Sequence, residues 1–146
     1  MTEPDPFKKN DWPDTEPIDA ATGANFVDAA FIQGCRANKE LGRIDFISYA
    51  TLCPGTVDFG ETPKTALVFE VACGELRGGE LKLFLDGVEK EKLYGELELD
   101  TNFKNVGWNA FEERRIILRT PVTGQHKLIL FAPGKNFCNL RKWRFE

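Results

Sequence analysis

The sequence predicts an all-β chain, folded as an antiparallel β-sandwich of jelly-roll topology, and three observations lead there. Apolar residues recur at every second position in one short segment after another, the period of a strand with one face buried. Glycine, proline and Asp-Gly signals separate those segments at short intervals. Helical periodicity is almost absent over 146 residues, and short strands between frequent turns are the pattern of sandwiches and jelly rolls.

Taken in order, the chain opens on a polar segment. Residues Met1 to Pro17 hold four of the eight prolines among Asp, Glu and Lys, which predicts a linker or extended arm ahead of a module over 18–146. Trp12 interrupts that arm, and a tryptophan there is expected to dock on its own domain. Thr22 to Ala30 suits a short helix and a loop equally. Strand character begins at Ile44 to Tyr49 and breaks at Cys53-Pro54-Gly55. Val57-Asp58-Phe59-Gly60 and the Glu61-Thr62-Pro63 turn lead to Leu67, Phe69 and Val71, a clean alternation ending at Cys73-Gly74. Gly78-Gly79 turns into Leu81, Leu83 and Leu85. Asp86-Gly87 then marks a hairpin before Leu93, Leu97 and Leu99. Asp100 to Val106 reads as a loop, Arg115 to Arg119 as a strand, Thr123-Gly124-Gln125 as a turn into His126 to Phe131, and Asn139 to Phe145 as the last strand.

Bulk properties narrow the function. A formal charge of -4, mixed along the chain, leaves no basic stripe for nucleic acid or anionic lipid. No apolar run approaches the roughly 20 residues that span a bilayer, and the first residues are not signal-like. The four cysteines are too widely spaced for a zinc ribbon or a Cys-x-x-Cys pair. Cys73 reads as a small buried hydrophobe, whereas Cys35 and Cys53 lie in loop-like surroundings and are the better candidates for a bridge.

Catalysis finds little support. His126, the sole histidine, follows a turn without a Gly-x-Ser-x-Gly partner and reads as a hydrogen-bonded structural residue. Glu112 with Glu113, or Glu96 with Glu98, would make a glycosidase pair only if they faced one another, and strand-face glutamates are ordinarily solvated. Arg114 and Arg115 could meet an acidic sugar, but an outward-facing strand pair is the default reading. Trp108 stands apart. It lies in a polar loop beside Gly107 and Asn109, and with Phe111 expected to anchor that segment in the core, the indole is left to face outward. An aromatic plate near amide side chains is the chemistry that stacks on a sugar ring and bonds its hydroxyls.

At these residues the chain resembles family 6 carbohydrate-binding modules, from about Ile44 to Phe145. Val57-Asp58-Phe59-Gly60, Val71-Ala72 with Gly78-Gly79-Glu80-Leu81, Gly107-Trp108-Asn109-Ala110-Phe111, Thr123-Gly124-Gln125-His126 and Asn139-Leu140-Arg141-Lys142-Trp143-Arg144-Phe145 follow the family's order of landmarks. The resemblance implies a jelly roll without catalysis, binding oligosaccharide or polysaccharide, covalently linked to a secreted glycoside hydrolase and so extracellular, with no nucleic-acid or membrane partner. The Val-Asp-Phe-Gly type points to xylan or xylo-oligosaccharide first and β-glucan second. Carried over by position, the family's stacking tryptophan is Trp108 and its hydroxyl-binding asparagine Asn139. Its second aromatic is Phe46, or Tyr49 if the alignment shifts. A sheet-face tryptophan of some members falls near Leu52. The family's structural calcium (Ca2+) would rest on early acidic residues, here Asp11, Asp14 or Asp19. Arg141 stands near the late acidic position, where it would pair with an early aspartate in place of the ion. The alternative is a structural or protein-interaction sandwich whose sugar site has decayed.

Overall fold

The computed structural model describes residues 12–75, 79–99, 102–134 and 138–146. Residues 1–11 of the expected arm, including Asp11, lie outside them, as do Gly78 and Asp100. The strands are β1 (Ile18–Asp19), β2 (Ala24–Asn25), β3 (Phe31–Asn38), β4 (Arg43–Asp58), β5 (Lys64–Cys73), β6 (Glu80–Leu85), β7 (Leu93–Glu98), β8 (Glu112–Val122), β9 (Gln125–Ala132) and β10 (Cys138–Phe145). Single turns of 3-10 helix at Phe26–Asp28 and Lys90–Lys92 are the helical content of the described residues. The Thr22 to Ala30 segment thus resolves into a short strand and one such turn, capped by the Asn25 side chain on the Val27 amide.

The strand order is β7-β6-β9-β4-β10-β5-β8, with β1 and β3 added on β4 and β2 on β10. All pairings are antiparallel except β1 with β4. β10 is the seam of the two layers. It starts against β4, Asn139 opposite Asp45 and Leu140 opposite Ile44, and continues along β5 to Phe145 opposite Leu67. Inward residues from both sides of this seam, among them Leu52, Leu83 and Leu130 on one and Leu67, Phe69 and Ile116 on the other, meet in one buried core. Strands β7 and β8, at opposite ends of the order, also touch, so the sandwich nearly closes.

Strand β9 reads as a continuous apolar run because both its faces are covered. Leu128 and Leu130 enter the main core. Ile129 and Phe131 join Cys53 and Phe84 in a second cluster on the outer face of the same layer. The arm closes that cluster, as expected of Trp12: its ring meets Phe31 edge-on at 5.6 Å. Lys127 Nζ donates to the Trp12 carbonyl at 2.9 Å and to Asp14 at 2.7 Å. The Thr56 amide donates to Thr15 Oγ1 at 3.0 Å.

The cysteine expectation is overturned. Cys73 and Cys138, register partners on β5 and β10, form the disulfide, and Cys35 and Cys53 are free thiols. Spacing of 65 residues along the chain hid a pairing that strand register makes adjacent. Burial pushes the Cys35 thiol up to about 12 and that of Cys53 to about 11. His126 is structural as expected, its Nδ1 2.5 Å from Asp86 Oδ2 and its Nε2 2.8 Å from the Thr123 carbonyl.

Candidate functional site

Cross-strand partners share a face of a sheet, so the register places Arg36 of β3, Asp45 of β4, Asn139 of β10 and Ala72 of β5 in one row. Arg43 lies two residues along β4 on that same face. Over this row runs the loop between β7 and β8, and Trp108 is its contact point. The Asn139 amide donates to the Trp108 carbonyl at 2.5 Å, and Arg43 Nη1 donates to the same oxygen at 3.1 Å. Nη1 also reaches Asn109 Oδ1 at 3.4 Å. The Gly107 amide donates to the Cys73 carbonyl at 2.9 Å. Upstream in the loop, the Glu112 carboxylate accepts the amides of Lys104 and Asn105, which holds its pKa below the usual carboxylate range.

These bonds pin the Trp108 backbone while its side chain remains 44% exposed. One part of the indole rests on Gly74. A Cβ built there would fall inside the ring system, so only glycine permits the contact. Gly74 directly follows Cys73, and Asn139 directly follows Cys138, so a single disulfide fixes both supports of the tryptophan.

Charge is concentrated beneath the loop. Arg43 Nε donates to Asp45 Oδ1 at 2.8 Å, and Arg36 Nη2 to Asp45 Oδ2 at 3.2 Å, so two guanidiniums share one carboxylate. Farther along β10, Arg141 forks onto both oxygens of Glu70, at 2.9 and 3.1 Å, and holds that acid below its usual range. Its guanidinium lies 4.0 Å above the Phe111 ring.

Of the four residues expected at the site, the structure brings two together. Trp108 is exposed and joined to Asn139, but Asn139 is only 2% exposed, its amide committed to the loop carbonyl. Asn139 therefore acts from below, as a support. Phe46 must be corrected. It is 6% exposed and packed in the main core, with no ring face turned to solvent, because it falls in phase with Ile44, Ala50 and Leu52, which point inward. Tyr49 is outward but belongs to the second cluster with Cys53, Phe84 and Phe131, and its amide donates to the Gly134 carbonyl at 2.7 Å. Strand parity separates the two aromatics, and the β4 side chain that reaches the tryptophan loop is Arg43. Phe111 is also corrected: it is half-buried and carries Arg141 rather than anchoring in the core. Leu52 is a core residue.

Sequence reasoning missed Gly74 and Arg43. A glycine closing a strand after cysteine was a signal, but what it accommodates is 34 residues away in the chain.

Of the aspartates expected to meet Arg141, Asp11 lies outside the described residues, and Asp14 and Asp19 have other partners. Arg141 pairs with Glu70, Asp14 with Lys127, and Asp19 accepts the Ala21 amide. Among the described residues no three of His, Cys, Asp and Glu converge as a ligand set. Glu112 and Glu113, consecutive on β8, point to opposite faces of the sheet, and Glu96 and Glu98 on β7 are exposed. Glu112 is held by Arg114 and the loop amides, and Glu113 by Arg144. Arg114 stacks on Phe103, and Arg115 bonds Glu146. Two grooves, of about 440 Å³ beside Val68, Glu70 and Arg144 and about 300 Å³ beside Asp19, Asp58 and Lys64, lie away from Trp108.

A jelly-roll sandwich with an exposed indole held at a loop end is the architecture that fold and site define. Its fold is that of family 6 carbohydrate-binding modules. A module of that family from Clostridium stercorarium, in complex with cellobiose, superposes with a TM-score of 0.70 at 15% identity, covering 90% of this chain and 97% of that one. One from Clostridium cellulolyticum, in complex with xylose, gives 0.70 at 20% identity over 88% and 99%. A family 43 arabinoxylan arabinofuranohydrolase from Bacillus subtilis, in complex with cellotetraose, gives 0.73 at 19% identity; 90% of this chain is covered but only 28% of the enzyme's length. No family sequence model matches the chain, and no curated protein matches it in sequence. Among the described residues no helix is long and apolar enough to cross a membrane.

Proposed function

We propose that the protein is a non-catalytic carbohydrate-binding module, and that the observation carrying this reading is the rigidly backed, 44% exposed indole of Trp108. A sugar ring laid on that plate gains apolar contact on one face, while its hydroxyls meet the polar groups around the loop, Asn109 and Arg43 among them. One stack and a few hydrogen bonds must offset the freedom lost on binding, so affinity is modest and the benefit lies in effective concentration. That logic suits a module tethered to a secreted glycoside hydrolase and keeping it on polysaccharide. Xylan or xylo-oligosaccharide is the first ligand and β-glucan the second. The Cys73–Cys138 bridge supports an oxidising, extracellular setting.

Affinity electrophoresis on xylan, β-glucan and acidic polysaccharide gels tests the reading. Trp108→Ala is expected to abolish retention in a chain that still folds, with a melting temperature lowered by several degrees, since the indole also packs on Gly74. Equal retention of parent and variant would remove Trp108 from the site and leave the scaffold reading.

A further inference from the structure

Two strand-borne side chains approach the loop from below the exposed indole, Asn139 and Arg43, and Arg43 is a cation. Arg43 bonds the Trp108 carbonyl and Asn109 through Nη1 and Asp45 through Nε, and no protein partner for Nη2 is found among the described residues. It is ordered by three contacts and is still 13% exposed. Arg36, 70% exposed, draws on the same Asp45 carboxylate. Two positive charges against one negative leave this row with a local excess of +1, on a chain whose formal charge is -4.

A neutral sugar takes hydrogen bonds from a guanidinium but gains nothing from its excess charge. A guanidinium already oriented by its neighbours, with Nη2 left to donate, meets a carboxylate through a charge-assisted hydrogen bond at little further loss of freedom. Contact at a partly exposed position, with Asp45 already neutralising one of the two cations, makes the attraction moderate and sensitive to salt.

We propose that the Trp108 site takes an acidic sugar, a hexuronate unit of a polysaccharide, its ring on the indole and its carboxylate met by Arg43 with Arg36 adding field. The proposal rests on the reading of Trp108 as a sugar plate and narrows the ligand class of that same site. Uronate-decorated xylan and polyuronides carry this chemistry; undecorated xylan and β-glucan do not.

The test is isothermal titration of the intact chain with oligogalacturonate, glucuronoxylan fragments, neutral xylo- and gluco-oligosaccharides and a sulfated galactan oligosaccharide, at low and high sodium chloride. Expected is a preference for the uronates of at least about tenfold, the scale of one charge-assisted hydrogen bond, shrinking as salt rises. Arg43→Lys should lose most of that preference and weaken binding of every sugar, the uronates more than the neutral ones. Arg36→Gln, at an exposed position, should lose a smaller part of it and more of the salt dependence. Equal affinity for neutral and acidic sugars, a preference for sulfate over carboxylate, or unchanged selectivity in both variants overturns the proposal while leaving the sugar-plate reading intact. Absence of binding to every sugar, with no difference between the parent and Trp108→Ala, overturns both.

Discussion

Gly74 has no side chain because Trp108 lies where one would be. At the scale of single residues, the exposed tryptophan depends on two neighbours that contribute no stacking surface of their own. Gly74 lets the indole settle on backbone, and Asn139 satisfies the carbonyl that this placement turns inward. Gly74→Ala is therefore expected to displace the ring, costing about 1–3 kcal/mol of stability as overpacking does. It should weaken sugar retention and shift Trp108 fluorescence toward that of a solvated indole. Unchanged emission and retention would mean that the ring does not lean on that position. Arg141 shows the same economy at another point, where one guanidinium forks onto Glu70 and caps Phe111.

Among the elements, β10 decides most. Its first residues bond both β4 and β5, so the strand that seals the two layers also delivers Asn139 beneath the tryptophan loop. The disulfide sits at this junction, one residue from Gly74 and one from Asn139. Replacing both cysteines by serine should lower stability by roughly 2–5 kcal/mol, the range for native bridges closing long loops. Sugar affinity should fall with it under conditions where the fold persists, because Gly74 and Asn139 lose their common tether. Calorimetric melting paired with affinity electrophoresis reads both quantities. Full affinity in a folded double variant would show that strand pairing alone holds the platform.

For the molecule as a whole, the sandwich hides apolar surface on two sides of one layer, and the second side needs the arm. Trp12, Asp14 and Thr15 lie across the cluster of Cys53, Phe84, Ile129 and Phe131. Cys53 is buried there and its thiol is pushed up to about 11, so at pH 8 it is protonated and inert. A chain beginning at Glu16, in a Cys35→Ser background, should react with a thiol reagent at least about tenfold faster at that pH, because local opening of the cluster becomes easier. Trp108-dependent retention should be unaltered in it. Equal reaction rates would make the arm an ornament of the surface and not a cover.

Much of this was legible in the residues. Alternation at Leu67, Phe69 and Val71, the Asp86-Gly87 turn and the final Trp143-Phe145 pair are local signals, and strands built on local signals appeared where they were expected. Trp108 could likewise be read as outward-facing from its polar, glycine-led loop. The Cys73–Cys138 bridge, the seat of Trp108 on Gly74, the burial of Phe46 and the arrival of Arg43 under the loop were not legible. Each joins residues far apart in the chain, and register decides each of them. A shift of one residue between strands sends every side chain to the other face, so one chain can announce its strands and its exposed indole, while only the assembled sandwich settles which neighbours that indole keeps.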